Sequence, residues 1–227
     1  MLVLLGAAAT GDTGTPTDAW RQCLTDKSPA AIEACTTIII LDPGNDGAYV
    51  NRGLAYRRRG DLDRAIDDYD EAIAINPEAA DAFNNRGNAY QGRQDHERAM
   101  RDYGEAIRLN PHYAHAYNNR GVALLERGEL LPAISDFTRA IHEDASYSNA
   151  FRNRGLAHTH RGMFDLAVDD FDEAARLNPS IAHGVEYAVA LYGRGLARRR
   201  RGDADGAADL EAAKRLAPDV ARLMEDR

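Results

Sequence analysis

Asparagine is the residue type in this sequence whose spacing most clearly predicts a binding chemistry. Asn51, Asn85, Asn119 and Asn153 follow one another at intervals of 34 residues. A primary amide offers two N–H donors and one acceptor oxygen, so a row of amides could hold the N–H and C=O groups of a partner's backbone whatever its sequence. The alternative is that these amides bond to neighbouring segments of the same chain.

The other residues that could do chemistry do not form a recognisable site. The sequence contains no HExxH motif, no Cys/His cluster and no Gly-rich phosphate loop. Ser135 and Ser148 lack the local pattern of an activated nucleophile. The paired carboxylates Asp67-Asp68 and Asp169-Asp170 recur with the 34-residue spacing, which is typical of a scaffold. We therefore predict that the protein is not an enzyme and has no catalytic residues, no metal site and no cofactor.

The asparagines belong to a unit of 34 residues that occurs four times. Each asparagine is followed directly by Arg and Gly. In residues 46–79, apolar and small residues recur at helical spacing on two segments, which are separated by Gly60-Asp61 and end at Asn76-Pro77. This pattern predicts a helix, a turn and a second helix. Because one helix pair cannot bury its apolar face alone, successive pairs must stack on each other.

The apolar positions of this unit resemble those of the tetratricopeptide repeat, with an aromatic residue, Gly and Tyr on the first helix and Ala, an aromatic residue, Ala and Pro on the second. In residues 46–79 the matching positions hold Tyr49, Gly53, Tyr56, Ala65, Tyr69, Ala72 and Pro77. The resemblance implies an all-α fold, a right-handed α-solenoid of stacked antiparallel helix pairs. Since the period covers nearly the whole chain, we expect five to six helix pairs and no β-strand.

The same positions predict the domain boundaries. Repeats 1 to 4 should span residues 46–79, 80–113, 114–147 and 148–181. A degenerate repeat precedes them in residues 12–45. An atypical repeat and a cap, together called repeat 5, follow in residues 182–227, with six extra residues before the first helix. Terminal repeats of a solenoid are usually atypical because one face meets water.

The resemblance also implies a function, namely a scaffold that binds an extended peptide or a helix of another protein in a concave groove. Asparagine arrays in similar proteins grip an extended peptide backbone, so the four repeating asparagines are the candidate peptide-binding residues. Their neighbours Asn84, Asn88, Asn118 and Arg152 should line the same groove and give it selectivity. The alternative function is structural, with self-association into a homo-oligomer through the terminal repeats.

An arginine one residue after each asparagine predicts a contact between the two helices of a repeat. Every such arginine is matched by an aspartate on the second helix, at a level that faces it in an antiparallel pair. The five pairs are Arg52 with Asp68, Arg86 with Asp102, Arg120 with Asp136, Arg154 with Asp170, and Arg194 with Asp209. We interpret these pairs as structural.

The charge of the chain limits its partners. The net charge of −8 and the pI near 5.4 argue against nucleic acid, because phosphate binding needs a concentrated basic surface. The runs Arg57–Arg59 and Arg198–Arg201 are local exceptions. Both precede Gly and Asp at a helix end, where cations are favourable, so we interpret them as solvated helix ends, with a basic contact site as the alternative. Other proteins or peptides remain the expected partners.

The N-terminal residues indicate export. Residues 1–11 begin with an apolar run that ends in three alanines and resembles the second half of a signal peptide, although a basic leading segment is missing. No other stretch is apolar over the length that crosses a bilayer, so we expect no membrane insertion. We predict a periplasmic or secreted protein in which Cys23 and Cys35 form a disulfide. The alternative is a cytoplasmic protein with two buried thiols.

Overall fold

A computed structural model describes residues 20–23, 30–179, 184–200 and 202–225. These residues form α-helices joined by short turns, with no β-strand among them. The helices are α1 (Ala30–Leu41), α2 (Asp46–Arg58), α3 (Leu62–Ile75), α4 (Ala80–Gly92), α5 (His96–Leu109), α6 (Ala114–Glu126), α7 (Leu130–Glu143), α8 (Ser148–His160), α9 (Phe164–Leu177), α10 (Val185–Arg200), α11 (Gly206–Leu216) and α12 (Val220–Glu225). The expected signal segment 1–11 lies outside the described residues, and so do residues 180–183, which contain the end of repeat 4 and the start of repeat 5.

The chain divides into two compact units, residues 1–89 and residues 90–227. In the first unit, α2 packs along α3, and α1 packs on α2. In the second unit, α6 packs with α7, α8 with α9 and α10 with α11, while α7 packs on α8 and α9 on α10. Stacked helix pairs of this kind are those of an α-solenoid, which confirms the predicted fold class. No helix in the described part of the chain has the length and apolar character needed to cross a membrane.

Small residues let the two helices of a repeat approach closely. Tyr69 and Phe137 are fully buried on second helices, and each ring lies against a glycine of the first helix. A Cβ atom added at Gly53 would lie 2.6 Å from the ring of Tyr69, and one at Gly121 would lie 2.6 Å from the ring of Phe137. Neither position has room for a larger side chain, because these rings fill the space between helices.

The arginine–aspartate pairs hold the two helices of a repeat together. In each observed pair, Nε and Nη2 of the arginine donate to the two oxygens of a buried carboxylate. The observed pairs, with their shortest N–O distances, are Arg52–Asp68 at 2.7 Å, Arg120–Asp136 at 2.7 Å, Arg154–Asp170 at 2.7 Å and Arg194–Asp209 at 2.8 Å. The pair of Arg86 with Asp102 stays a prediction.

Three of these arginines also bond to the second helix of the preceding repeat. Arg52 Nη1 donates to Thr36 Oγ1 at 3.1 Å, and Arg154 Nη1 donates to Thr138 Oγ1 at 3.2 Å. Arg86 Nη1 donates to Asp70 Oδ1 at 2.7 Å. The arginine column therefore connects successive repeats as well as the helices within one repeat.

The N-terminal repeat contains the two cysteines. Cys23 and Cys35 form a disulfide with a Cα–Cα distance of 4.8 Å, and both residues are buried beside Ala34, Ile38 and Ala48. Residues 24–29, which lie between Cys23 and α1, are outside the described residues.

Candidate peptide-binding face

The first helices of the repeats form the candidate binding face. In the unit 90–227, α8 contacts both α6 and α10, whereas contacts of α7 with α9 and of α9 with α11 are weaker or lacking in the described part. Stacked helices that lie closer together form the inner side of a curved layer. Within this unit the first helices therefore face the concave side, where a partner segment would meet several repeats at once.

A chain of side-chain amides runs across this face in the unit 90–227. Asn153 Nδ2 on α8 donates to Asn118 Oδ1 on α6 at 2.9 Å, and Asn118 Nδ2 donates to Asn119 Oδ1 at 3.4 Å. Asn118 is only 5% exposed, whereas Asn119 and Asn153 are half-buried. Asn118 thus bridges adjacent repeats, and the bridge fixes the orientation of the Asn153 amide.

Further side chains of α8 and α6 border these amides. Arg152 is 40% exposed on its side chain and lies 3.6 Å from Glu186, near the start of α10. At the start of α6, the exposed His115 ring stacks on Tyr147 with 4.7 Å between centroids, and it also stacks on Tyr113 with 6.0 Å between centroids. Burial raises the pKa of Tyr147, so this phenol stays neutral at physiological pH.

The asparagines of the unit 1–89 have different environments. Asn51 Nδ2 donates to the carbonyl of Gly47 at 2.9 Å, one turn back in its own helix α2. Asn84 is 4% exposed, Asn85 and Asn88 are half-buried, and Asn84 and Asn88 each interact with a neighbouring group. The structure brings Asn118, Asn119 and Asn153 together in one unit, while Asn51 engages its own helix.

The asparagine column ends before the last repeat. Gly193 on α10 stands where the earlier repeats have asparagine, directly before Arg194. A Cβ atom at Gly193 would clash with the ring of Phe164 from repeat 4, so this position cannot hold an amide without rearrangement. The candidate amide face of the second unit therefore lies on α6 and α8.

One buried histidine lies behind this face. His158 is 8% exposed, and its Nδ1 atom has no hydrogen-bond partner among the described residues. Its Nε2 atom lies 3.7 Å from Asp170 Oδ2. Burial lowers the pKa of His158, although the Asp170 carboxylate acts in the opposite direction. Within the described residues, no group of three or more His, Cys, Asp or Glu side chains is arranged to hold a metal ion.

Sequence reasoning missed the contacts that run between repeats. It placed Asn118 as a groove-lining residue, whereas the side chain is buried and accepts a hydrogen bond from the next repeat. It also missed the bonds of the arginines to Thr36, Asp70 and Thr138. The signal for these bonds was the constant separation of 16 residues between each of these three arginines and a polar residue before it.

Family models match three parts of the chain. One is described as a TPR repeat and matches residues 53–94, and two are described as a tetratricopeptide repeat and match residues 80–113 and 132–182. No curated protein sequence matches the chain significantly.

Several solved structures share the fold. YrrB, whose structure is described as that of a TPR protein with an unusual peptide-binding site, is 22% identical, with 86% of this chain and 100% of that chain covered and a TM-score of 0.68. MamA is 25% identical, with 73% and 97% covered and a TM-score of 0.61. PilF of Pseudomonas aeruginosa is 16% identical, with 93% and 96% covered and a TM-score of 0.72.

Proposed function

We propose that this chain, which belongs to the tetratricopeptide repeat family, is a non-enzymatic scaffold. It binds an extended segment or a helix of another protein on the face formed by the first helices of its repeats, which we call the first-helix face. Proteins of this family typically mediate protein–protein interactions. YrrB, which shares the fold, is described as having a peptide-binding site. Because that likeness concerns the fold alone, the proposal depends on the side chains of this chain.

The hydrogen bond from Asn153 to Asn118 is the observation that carries the proposal. It uses one N–H of the Asn153 amide. The second N–H and the Oδ1 atom make no hydrogen bond with the described residues. These two groups match the C=O and N–H of one peptide unit. Since α6 already orients the amide, the Asn153 side chain would lose less conformational entropy on binding a partner's backbone than a freely rotating side chain would.

A pair of variants tests this proposal once a partner has been isolated by crosslinking. We expect N119A/N153A to weaken binding by about 10- to 100-fold, because two hydrogen bonds at about 0.5–1.5 kcal/mol each are removed. The matched control is S135A/D169A, which changes exposed residues on the second helices of the same two repeats. Calorimetry should show unchanged affinity for the control. Equal affinities for both variants would move recognition away from the first helices.

Export is a further part of the proposal. The disulfide between Cys23 and Cys35 supports it, because such bonds persist mainly in oxidising compartments. Cell fractionation of the native host tests it, and recovery of the protein with the cytoplasm would contradict it.

Self-association is the second candidate function, and one surface feature favours it. Ile40 and Leu41 at the end of α1 are 73% and 66% exposed, although neighbouring residues of the same helix are buried. Large exposed apolar side chains that adjoin one another often mark a protein contact. Light scattering over a range of concentrations tests this candidate, since a monomer at all concentrations would exclude it.

A further inference from the structure

A cleft opens where α5 of repeat 2 meets α6 and α7 of repeat 3. It has a volume of about 330 Å³ and is lined by Met100, Arg120, Leu124, Pro132, Ser135 and Asp136. We call this site the junction cleft. Leu124 and Asp136 are buried, whereas Pro132 and Ser135 are exposed on α7, so the lining includes both interior and surface residues. The volume lies within the range of pockets that accept a small ligand or a large side chain.

One arginine nitrogen at this cleft lacks the acceptor that it has in other repeats. Arg120 Nε and Nη2 donate to the two oxygens of Asp136, and Nη1 makes no hydrogen bond with any residue that the structure describes. In two other pairs with the same geometry, Nη1 donates to a threonine, as Arg52 does to Thr36 and Arg154 to Thr138. Gly104 holds the position of these threonines, one turn after Met100 on the same face of α5. A Cβ atom added at Gly104 would have no packing contact within 4 Å outside its own turn of helix, so the place of the threonine is open.

Two further replacements remove the side chains that close the same place in repeats 1 and 2. In those repeats a tyrosine on the first helix is covered by an arginine of the second helix, 4.6 Å from the ring centroid; the pairs are Tyr56 with Arg64 and Tyr90 with Arg98. Repeat 3 has Leu124 in place of the tyrosine and Pro132 in place of the arginine. Since both side chains are shorter than those they replace, the ring and its cover are missing beside the unused nitrogen of Arg120.

The groups missing from repeat 3 indicate which ligand the junction cleft fits. They are an aromatic ring, absent at Leu124, and an oxygen acceptor, absent at Gly104. Arg120 and Asp136 neutralise each other, and the other described residues that line the cleft carry no charge, so a neutral ligand fits better than an acid or a base. A phenol supplies a ring for the apolar walls, and its hydroxyl can accept from Arg120 while it donates to Ser135 or Asp136.

We propose that the junction cleft binds a tyrosine side chain of a partner protein, whose phenol oxygen accepts a hydrogen bond from Nη1 of Arg120. The ring takes the place that Tyr56 and Tyr90 fill in the earlier repeats, and it contacts Met100, whose sulfur packs favourably against aromatic rings. The exposed residues of the cleft lie on α7, a second helix, so the site is separate from the amides of the first-helix face. The protein can therefore hold a second part of a partner while the first-helix face is occupied.

Two small probes test this proposal without knowledge of the natural partner. The tyrosine probe is N-acetyl-tyrosinamide, and the phenylalanine probe is N-acetyl-phenylalaninamide, which lacks only the hydroxyl. Both are titrated by NMR into protein with isotope-labelled methionine methyl groups. Met100 lines the junction cleft, whereas Met163 lies in repeat 4 and serves as an internal reference. We expect the tyrosine probe to shift the signal of Met100 but not that of Met163, and to bind about fivefold more tightly than the phenylalanine probe because of the hydrogen bond to Arg120.

Matched variants localise this binding. L124Y/P132R restores the tyrosine and arginine of repeats 1 and 2, so it should fold normally and weaken binding of the tyrosine probe about tenfold or more. The control L166R makes the same change of charge at the equivalent position of the next repeat, where the leucine is 49% exposed, and should leave the affinity unchanged.

A second pair of variants separates the hydrogen bond from the rest of the site. G104T supplies the missing acceptor from within the chain, so it should lower the affinity for the tyrosine probe to that for the phenylalanine probe. N119A/N153A should bind the tyrosine probe like wild type, because those amides belong to the first-helix face.

Four results would overturn the proposal. They are no shift of the Met100 signal by the tyrosine probe, equal affinities of wild type for both probes, unchanged affinity of L124Y/P132R in a protein with a normal thermal melt, and tighter binding of p-cresol than of the tyrosine probe. The last result would assign the junction cleft to a free phenol. If L124Y/P132R melts abnormally, G104T decides, and an undiminished preference of G104T for the tyrosine probe would contradict the bond to Arg120.

Discussion

Replacing Arg120 by leucine should destabilise the protein more than replacing Arg120 and Asp136 together. Arg120 suits this test because Asp136 is its only oxygen-bearing partner among the described residues, whereas Arg52 and Arg154 also donate to threonines. The position 16 residues before Arg120, which holds a threonine in the case of Arg52 and Arg154, is occupied by Gly104. Glycine has no side chain that could accept a further bond from Arg120. A double-mutant cycle on this pair therefore measures one interaction.

The expected magnitude follows from burial. The Asp136 side chain is 9% exposed and that of Arg120 is 28% exposed, so R120L leaves a carboxylate nearly out of water without its cation. Breaking such a pair costs about 3 kcal/mol, whereas R120L/D136N removes the charge with the partner and should cost about 1 kcal/mol.

Urea unfolding of wild type, R120L, D136N and the double variant measures these differences, and hydrogen exchange of the α6 amides localises them. At about 2–4 °C per kcal/mol for a chain of this size, R120L should melt roughly 4–8 °C below the double variant. Equal stabilities of R120L and the double variant would show that the unpaired Asp136 carboxylate does not destabilise the protein.

Three further predictions concern the backbone, a buried histidine and the disulfide. Gln94 has a φ of 61°, a conformation that favours glycine, so Q94G should raise the free energy of unfolding by about 1 kcal/mol. Gly128 has a φ of 76°, so G128A should lower the free energy of unfolding by about the same amount. Denaturant unfolding measures both changes. Because burial lowers the pKa of His158, the unfolded chain binds a proton at this residue before the folded chain does as pH falls. The free energy of unfolding should therefore be constant at high pH and decrease below about pH 6.5. Thermal melts at several pH values should show that H158L removes this part of the pH dependence. Reduction of Cys23–Cys35 should cost about 3 kcal/mol in chemical unfolding, and two titratable thiols in freshly exported protein would contradict the bond.

The fold could be predicted from the sequence because the same types of residue recur at the contact positions of each repeat. Gly53 and Tyr69 recur as Gly121 and Phe137, and a helix pair that buries a ring against a glycine has few other ways to pack. The positive φ of Gln94 was not predicted. Other repeats have glycine at this turn position, and the sequence does not show that glutamine adopts the same backbone conformation.

The candidate site was less predictable, because its geometry depends on stacking between repeats. The spacing of Asn119 and Asn153 places both on first helices, but it does not show that Asn118 lies between them and orients the second amide.

Recognition of a partner's backbone by Asn153 is the central claim, and N-methylation of a bound peptide tests it most directly. An N-methyl group removes one backbone N–H of the partner and leaves its side chains unchanged. Each backbone amide of the isolated partner peptide is methylated in turn, and affinities for wild type and N153A are compared by calorimetry. We expect one position at which methylation weakens binding to wild type about tenfold but has little effect on N153A, because the two changes remove the same hydrogen bond. Equal losses for both proteins at every position would contradict it.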